Sequence, residues 1–247
     1  MRLRETETSD IDSSNNWRVL NMDALGKTLR VATLTVALLV GLPAMAGGGH
    51  GKEGICSRGG HAYTRAIAVS QQFYWPWNLG ASNRQTVGPL FMVPLPEGTP
   101  VSDDPFVLQG STSFDVKPGR TLVLPLSVYI GESYDDGTVE DPADVSIDFA
   151  ASTLILTVDG RVIADSSRSS IDCLDFGTVR FAQPIVYPTP TDYGAVAAVW
   201  VKGLGVLLPP LRPGDHQIDL QVVSPTAAQV GVDVGYYNTW YVHVGRR

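Results

Sequence analysis

The side chains with most chemical capacity in this 247-residue chain are few and scattered. His216 lies in the run LRPGDHQIDL beside Asp215, and a histidine's ordinary pKa near neutrality makes it the candidate general base. The same position lets its ring reach back to a turn carbonyl or across to a carboxylate, so a structural role stands beside the catalytic one. No residue is assigned as catalytic, because the nucleophile elbow G-x-S-x-G, the zinc motif H-E-x-x-H and nucleotide fingerprints are all missing. Carboxylate pairs for glycosidic chemistry are defined by their separation in space, which spacing along a chain does not give. In the acidic run 132–144 (ESYDDGTVEDPAD), Asp135, Asp136, Glu140 and Asp141 offer the hard oxygen ligands that Ca²⁺ takes. The run departs from the D-x-D-x-D-G loop of an EF-hand, and a solvated acidic loop accounts for it as well. No metal site is assigned and no cofactor is expected, Ca²⁺ being the one alternative the acidic run offers. Trp75 and Trp77, in Trp75-Pro76-Trp77, are the ligand-binding candidates: an indole face packs against the apolar face of a pyranose, which points to carbohydrate. The alternative is that both rings fill or cap a core.

Cys56 and Cys173 are the only cysteines. In an exported protein the expected state is a disulfide between them. It would close a loop of over 100 residues, for which the chain-entropy model gives about 4–5 kcal/mol. Two separate thiols are the alternative. His50, Cys56 and His61 fall in or beside the Gly-rich stretch 47–60, where nothing holds ligands in the fixed geometry a metal requires.

Export is legible in residues 22–46. Lys27 and Arg30 precede the apolar run VATLTVALLVGL, and Pro43-Ala44-Met45-Ala46 supplies a small-x-small end, which together read as a signal peptide cut after Ala46. The apolar run is shorter than the ~20 residues that span a bilayer, so no membrane anchor is expected after cleavage. Residues 1–21 are polar and mixed in charge, unlike the start of an export signal. Translation from Met22 or an extended signal both account for them. The organisation that follows is 1–21 as a mis-assigned or extended N-terminus, 22–46 as signal peptide, 47–61 as a Gly-rich flexible leader and 62–247 as one domain. The address is secreted or periplasmic. The formal charge of −7 is unchanged by removing residues 1–46, which carry five basic and five acidic side chains. A mildly acidic protein without a basic cluster is not built for nucleic acid or an anionic membrane.

The elements that must position these residues are strands. Ile218, Leu220 and Val222 alternate with Gln217, Asp219 and Gln221, which marks a strand with one wet face. Residues 204–223 therefore read as strand, tight turn, strand around Arg212-Pro213-Gly214-Asp215. Val116-Lys117-Pro118-Gly119 leads into Arg120-Thr121-Leu122-Val123-Leu124 in the same way, and residues 106–130 read as a second hairpin. The repeated device suggests two equivalent corners of a sandwich. Asp159-Gly160 is a hairpin signal, Pro125 predicts an edge or a bulge, and residues 171–181 read as a strand pair or one long bent strand with a bulge at Gly177. Residues 63–77 are ambiguous between strand and helix, with Pro76 disfavouring helix through Trp75. About ten short strands and little helix give an all-β fold, an antiparallel β-sandwich of jelly-roll type.

Four pieces occur in a familiar order: Trp75-x-Trp77; Pro118-Gly119-Arg120 leading to Pro125; Val158-Asp159-Gly160-Arg161; and Leu207-Leu208-Pro209-Pro210-Leu211-x-Pro213-Gly214-x-His216-x-Ile218. In this the chain resembles a widespread group of secreted bacterial proteins of unknown function, over residues 63–244. The resemblance implies a β-sandwich and transfers no activity, ligand or catalytic residue. Ala197, Ala198, Lys202 and Gly203 stand where that group carries acidic or aromatic residues. The expected function is a binding or structural module whose partner is an extracellular carbohydrate or an envelope component. The alternative is an enzyme acting on extracellular polysaccharide.

Overall fold

Alternating apolar and polar residues build most of the molecule. The computed structural model describes residues 55–58, 60–225 and 232–246, so residues 22–46 read as a signal peptide, residues 1–21 and most of the Gly-rich leader, His50 included, lie outside it. After a short 3-10 helix, Ile55–Arg58, comes one long helix, α1 (Gly60–Asn78). The strands follow as β1 (Thr86–Val87), β2 (Leu90–Met92), β3 (Thr99–Asp103), β4 (Phe106–Val116), β5 (Thr121–Tyr134), β6 (Thr153–Val158), β7 (Arg161–Asp165), β8 (Asp175–Val186), β9 (Ala195–Leu208), β10 (Gly214–Ser224) and β11 (Val234–Val244). They form a five-stranded sheet of order β1-β2-β5-β9-β8 and a six-stranded sheet of order β3-β4-β11-β10-β6-β7.

Both Pro-Gly segments expected to make hairpins make arches instead. β4 and β5 flank Pro118-Gly119, yet β4 lies in the six-stranded sheet and β5 in the five-stranded one; β9 and β10 are divided in the same way. The expectation of two equivalent corners is met. The expectation that the flanking strands pair is corrected, because each turn carries the chain from one sheet to the other. Gly119 has φ of +82°, the positive value that the second central position of a type II turn requires. At the other corner Pro209 and Pro210, which have no N–H, end the ladder of β9 before the crossing.

The arches also explain a departure from the purely antiparallel jelly roll. β4 runs into the corner and β10 runs out of it. β11 returns antiparallel to β10, and therefore lies parallel to β4 from Val234–Phe106 to Val244–Val116. β2 likewise runs parallel to β5. The remaining pairings among the described residues are antiparallel. Pro125 sits in the central strand β5, not at an edge, and the register shifts beside it, between Pro125 and Ser127. A residue with no N–H to give the ladder is accommodated by that bulge. Gly177, with φ of +66°, falls at the expected shift in β8.

The second departure is α1. Tyr63, Ile67, Ser70, Gln71, Tyr74 and Trp75 form its buried stripe, at steps of three and four residues. Pro76 lies inside the last turn. There its missing N–H costs one bond with the Gln72 carbonyl, which burial of the stripe outweighs. α1 lies over the five-stranded sheet, touching β2, β5, β8 and β9. That sheet is thus covered twice, by the helix and by the other sheet. Gly205 shows how closely the helix approaches, since a Cβ there would stand 2.9 Å from the Cγ2 of Ile67. By strand alternation Leu204, Val206 and Leu208 face the other way, into the space between the sheets, and all three are fully buried. This double cover makes β9 apolar without alternation, whereas β10 alternates because its second face is open. Cys56 and Cys173 are bonded, which ties the chain ahead of α1 to the 3-10 turn Asp172–Leu174. The last residues of the expected flexible leader are therefore fastened to the fold.

Candidate functional site

The residues singled out by chemistry distribute over three places, and the fold decides what each can do. The first is the corner. Asp159 and Gly160 both take positive φ, 51° and 71°, as a two-residue type I′ hairpin requires between β6 and β7. That turn aims the Asp159 carboxylate at β10. One oxygen accepts from the Gln217 backbone N–H at 3.0 Å, and the other lies 2.7 Å from His216 Nδ1. His216 Nε2 donates to the Arg212 carbonyl at 2.7 Å. With an acceptor at each ring nitrogen, the imidazolium form satisfies both. Burial pulls the His216 pKa down, but the bonds to Asp159 and to the Arg212 carbonyl outweigh it and hold it above the ordinary value. The same pair lowers the Asp159 pKa against its own partial burial. Beside it, on the outer face, His243 Nδ1 contacts Asp215 at 2.6 Å, which raises the His243 pKa. Asp159, Asp215, His216, His243 and Tyr241 border a shallow concavity of about 490 Å³. His216 does reach a carbonyl and a cross-strand carboxylate. With both ring nitrogens committed, it is a clasp between the Asp159 turn and the Arg212 corner.

The second place is the far end of the five-stranded sheet. β5 and β9 pair from Leu122–Leu208 at the corner to Glu132–Ala198, ten residues on and so about 30 Å away. The acidic run folds back over this end. Glu140 turns inward, where one oxygen accepts from Tyr134 at 2.8 Å and Tyr129 at 3.1 Å and the other from the Glu132 backbone N–H at 3.0 Å. Trp200 stacks on Tyr129 and donates its indole N–H to the Glu140 carbonyl at 2.9 Å. Glu132, 9 % exposed, accepts from Tyr187 at 2.6 Å and Tyr193 at 3.4 Å. Burial raises its pKa, the two tyrosine bonds work against that, and the nearby Glu140 adds to it. Burial and then Glu132 push the Tyr187 phenol far up, and Tyr193 is pushed up to about 12 by the same causes.

The four carboxylates that could have offered oxygens to Ca²⁺ do not converge. Glu140 faces the tyrosines. Asp136 accepts from the N–H and hydroxyl of Thr138, Asp141 accepts from the Ala143 N–H and lies 3.8 Å from Arg180, and Asp135 lies near Gly194. Among the described residues no group of three or more His, Cys, Asp or Glu stands together as metal ligands do. The loop instead uses its acids for its own turns and for the tyrosine cage.

Trp75 and Trp77 do not form a platform either. Residues i and i+2 share a face in a strand but diverge in a helix, and this segment is helix. Trp75 is 2 % exposed, edge-on to Tyr74, and donates to Gln71 at 3.0 Å; Trp77 is half-buried and also edge-on to Tyr74.

The third place is the outer face of the six-stranded sheet, and it carries the aromatics that sequence reasoning missed. Trp240 and Val242 of β11 point into the core, so Tyr237, Thr239 and Tyr241 point out. Tyr237 is 38 % and Tyr241 52 % exposed. Register sets Gln221, Asp219 and Gln217 of β10 directly opposite them, and Gln109, Ser111 and Ser113 of β4 on the other side. Asp219 ties this surface together, accepting from Thr239 at 2.9 Å and from the Gln217 amide at 2.9 and 3.0 Å. The result is a flat strip of two phenols framed by amides and hydroxyls. The period of two in Tyr237-x-Thr239-x-Tyr241, set against Trp240 and Val242, was the signal that could have found it. No family model matches the chain, and neither a curated protein nor a solved structure matches it significantly.

Proposed function

We propose that the chain is an exported binding module whose ligand is an extracellular or envelope carbohydrate, held on the open face of the six-stranded sheet. The observation that carries this is the pair of outward tyrosines on a shallow, polar-framed surface. A phenol presents an apolar body for the C–H face of a sugar ring and a polar tip for its hydroxyls. Export is supported by the signal-like residues 22–46 and by the Cys56–Cys173 bond, which persists in oxidising compartments. Among the described residues no helix is long and apolar enough to cross a membrane. The resemblance to secreted bacterial sandwich proteins accords with this reading. A second reading, a polysaccharide-acting enzyme, draws on one feature, the raised carboxyl of Glu132 beside Glu140. Tyr187 and Tyr193 close on Glu132, so a substrate would first have to displace a phenol.

The test is a glycan-binding screen of the purified chain, run beside an assay for shortened polysaccharide, each with and without Ca²⁺. Binding without product, unchanged by Ca²⁺, is the expected result. Product lost in Glu132→Gln would establish the enzyme. Neither binding nor product would leave a purely structural envelope role.

A further inference from the structure

The open face also specifies the class of glycan, and this rests on the carbohydrate-binding reading above. Electrically the surface is one-sided. The six strands β3, β4, β11, β10, β6 and β7 contain one Arg, Arg161 at the start of edge strand β7, and no Lys. Alternation places Asp115, Asp215 and Asp219 on the same outer face as the tyrosines. A uronic or sulfated sugar laid there meets no Lys or Arg, finds the one histidine of that face, His243, already paired with Asp215, and faces three carboxylates. Such juxtaposition excludes a ligand class even where shape would fit. An uncharged sugar meets no such penalty. Its hydroxyls find amide donors and acceptors in Gln217 and Gln221 and a hydroxyl in Thr239.

Geometry sets the length. Tyr237 and Tyr241 are four residues apart on one strand, so their rings stand about 13 Å apart along β11. One pyranose covers only one of them. A ligand that uses both must be an oligosaccharide running with the strand, its middle unit over Thr239 and Asp219. Asp219 is already held by Thr239 and Gln217, so the strip keeps its layout without a ligand, and less ordering is required on binding.

We propose that the outer face of the six-stranded sheet binds an uncharged, linear glycan lengthwise along β11, with Tyr237 and Tyr241 under its two ends. The test is affinity electrophoresis of the full chain through gels containing a β-glucan, a xylan or a mannan, or polygalacturonate or chondroitin sulfate as acidic counterparts. Oligosaccharides of increasing length then serve as competitors. Retardation by at least one neutral polymer and by neither acidic one is expected, with little change on adding salt. Tyr237→Ala and Tyr241→Ala should each weaken it up to about tenfold, the range of one aromatic contact. Trimers and longer should compete better than monomers. Both side chains are exposed, so an unchanged melting temperature will show that the variants are folded. Retardation by the acidic polymers alone would overturn the assignment of class and leave carbohydrate binding standing. Retardation by neutral polymers undiminished in both tyrosine variants would overturn the assignment of face. No retardation by any polymer would overturn the carbohydrate reading and this inference together.

Discussion

His216 and Glu132 show how burial and partners turn reactive side chains into fasteners. His216 joins the two most specific motifs of the sequence, since its partners are Asp159 of the VDG turn and Arg212 of the Pro-Gly corner. Losing a charge-assisted pair of this kind costs about 1.5–3 kcal/mol, so His216→Ala should lower the melting temperature clearly. Asp159→Asn isolates the charge, because Asn tolerates the left-handed backbone at that turn. The sign of the pH effect follows from a folded pKa that is raised. The clasp contributes in full below the ordinary value of about 6.5, and its contribution is lost as pH rises through the folded value. The stability gap between the native chain and His216→Ala should therefore narrow from about pH 6.5 upward, and a gap that does not change with pH would refute the charged clasp. Glu132 is the converse case of a carboxyl with a raised pKa. Its contribution is fully present below about 4.3 and is lost as pH rises through the folded value, so its ionised form is a burden near neutrality. Glu132→Gln should be neutral or stabilising at pH 7 while still accepting from Tyr187. Glu132→Ala should cost about 1–3 kcal/mol, because it strands the buried Tyr187 hydroxyl. Chemical denaturation of both variants at two pH values separates these outcomes.

At the scale of elements, the helix explains the sheet beneath it. α1 is anchored by Tyr63, whose hydroxyl donates to the Leu207 carbonyl and accepts the Leu207 N–H, and by Tyr74, which donates to the Val93 carbonyl. Those contacts need close approach, and Gly205 permits it. In Gly205→Ala the new Cβ meets Ile67 and the carboxamide of Gln71, and overpacking of this kind typically costs about 1–3 kcal/mol. Hydrogen exchange should localise the loss to α1 and β9, leaving β10 and β11 protected; uniform loss of protection would show that the helix is not a separable layer. Between the two sheets, Ser127 of β5, Ser224 of β10 and Ser152 form a buried chain of hydroxyls at 2.8 Å steps. Each satisfies its neighbour, so the polar atoms fix how the sheets align at little cost.

The whole molecule is a helix, a doubly covered sheet and a half-open sheet, closed by one covalent tie. Cys56 and Cys173 are 117 residues apart, and removing a native disulfide of this kind typically costs about 2–5 kcal/mol. Cys56→Ser with Cys173→Ser should lower the denaturant midpoint accordingly, and reduction of the native chain should reproduce the shift. A midpoint unaffected by either would mean that the tie carries no stability. Sheet edges are blunted among the described strands: β7 has five residues, in a bulged pairing with β6. β1 has two residues, β3 contains Pro100 within a bulged pairing, and β8 has Pro184 in a stretch where its register with β9 shifts. Prolines and bulges at edges discourage pairing with further strands. Recognition is thereby left to side chains on a face, which favours the tyrosine strip over strand addition.

Local pattern determined much of this protein. The alternation in β10, the Asp159-Gly160 hairpin, the bulges at Pro125 and Gly177 and the all-β class all depend on neighbours in sequence, and the cysteine pair, 117 residues apart, was legible because the chain has only two cysteines. Only the tertiary structure decided the rest. Whether a Pro-Gly turn closes a hairpin or an arch depends on which sheet offers the next strand a partner, and no local signal carries that. The helix over residues 60–78 overrode its proline because the surface beneath it was there to be covered. That choice also separated Trp75 from Trp77 and removed them as a binding platform. The acids at 135–141 dispersed because Glu140 turns in to Tyr129 and Tyr134 while Asp136 and Asp141 bond within their own loop, and only the folded end of β5 brings those tyrosines to it. Tyr237 and Tyr241 became the candidate surface because β11 packs between β4 and β10, so its alternation turns Trp240 and Val242 into the core and both tyrosines out.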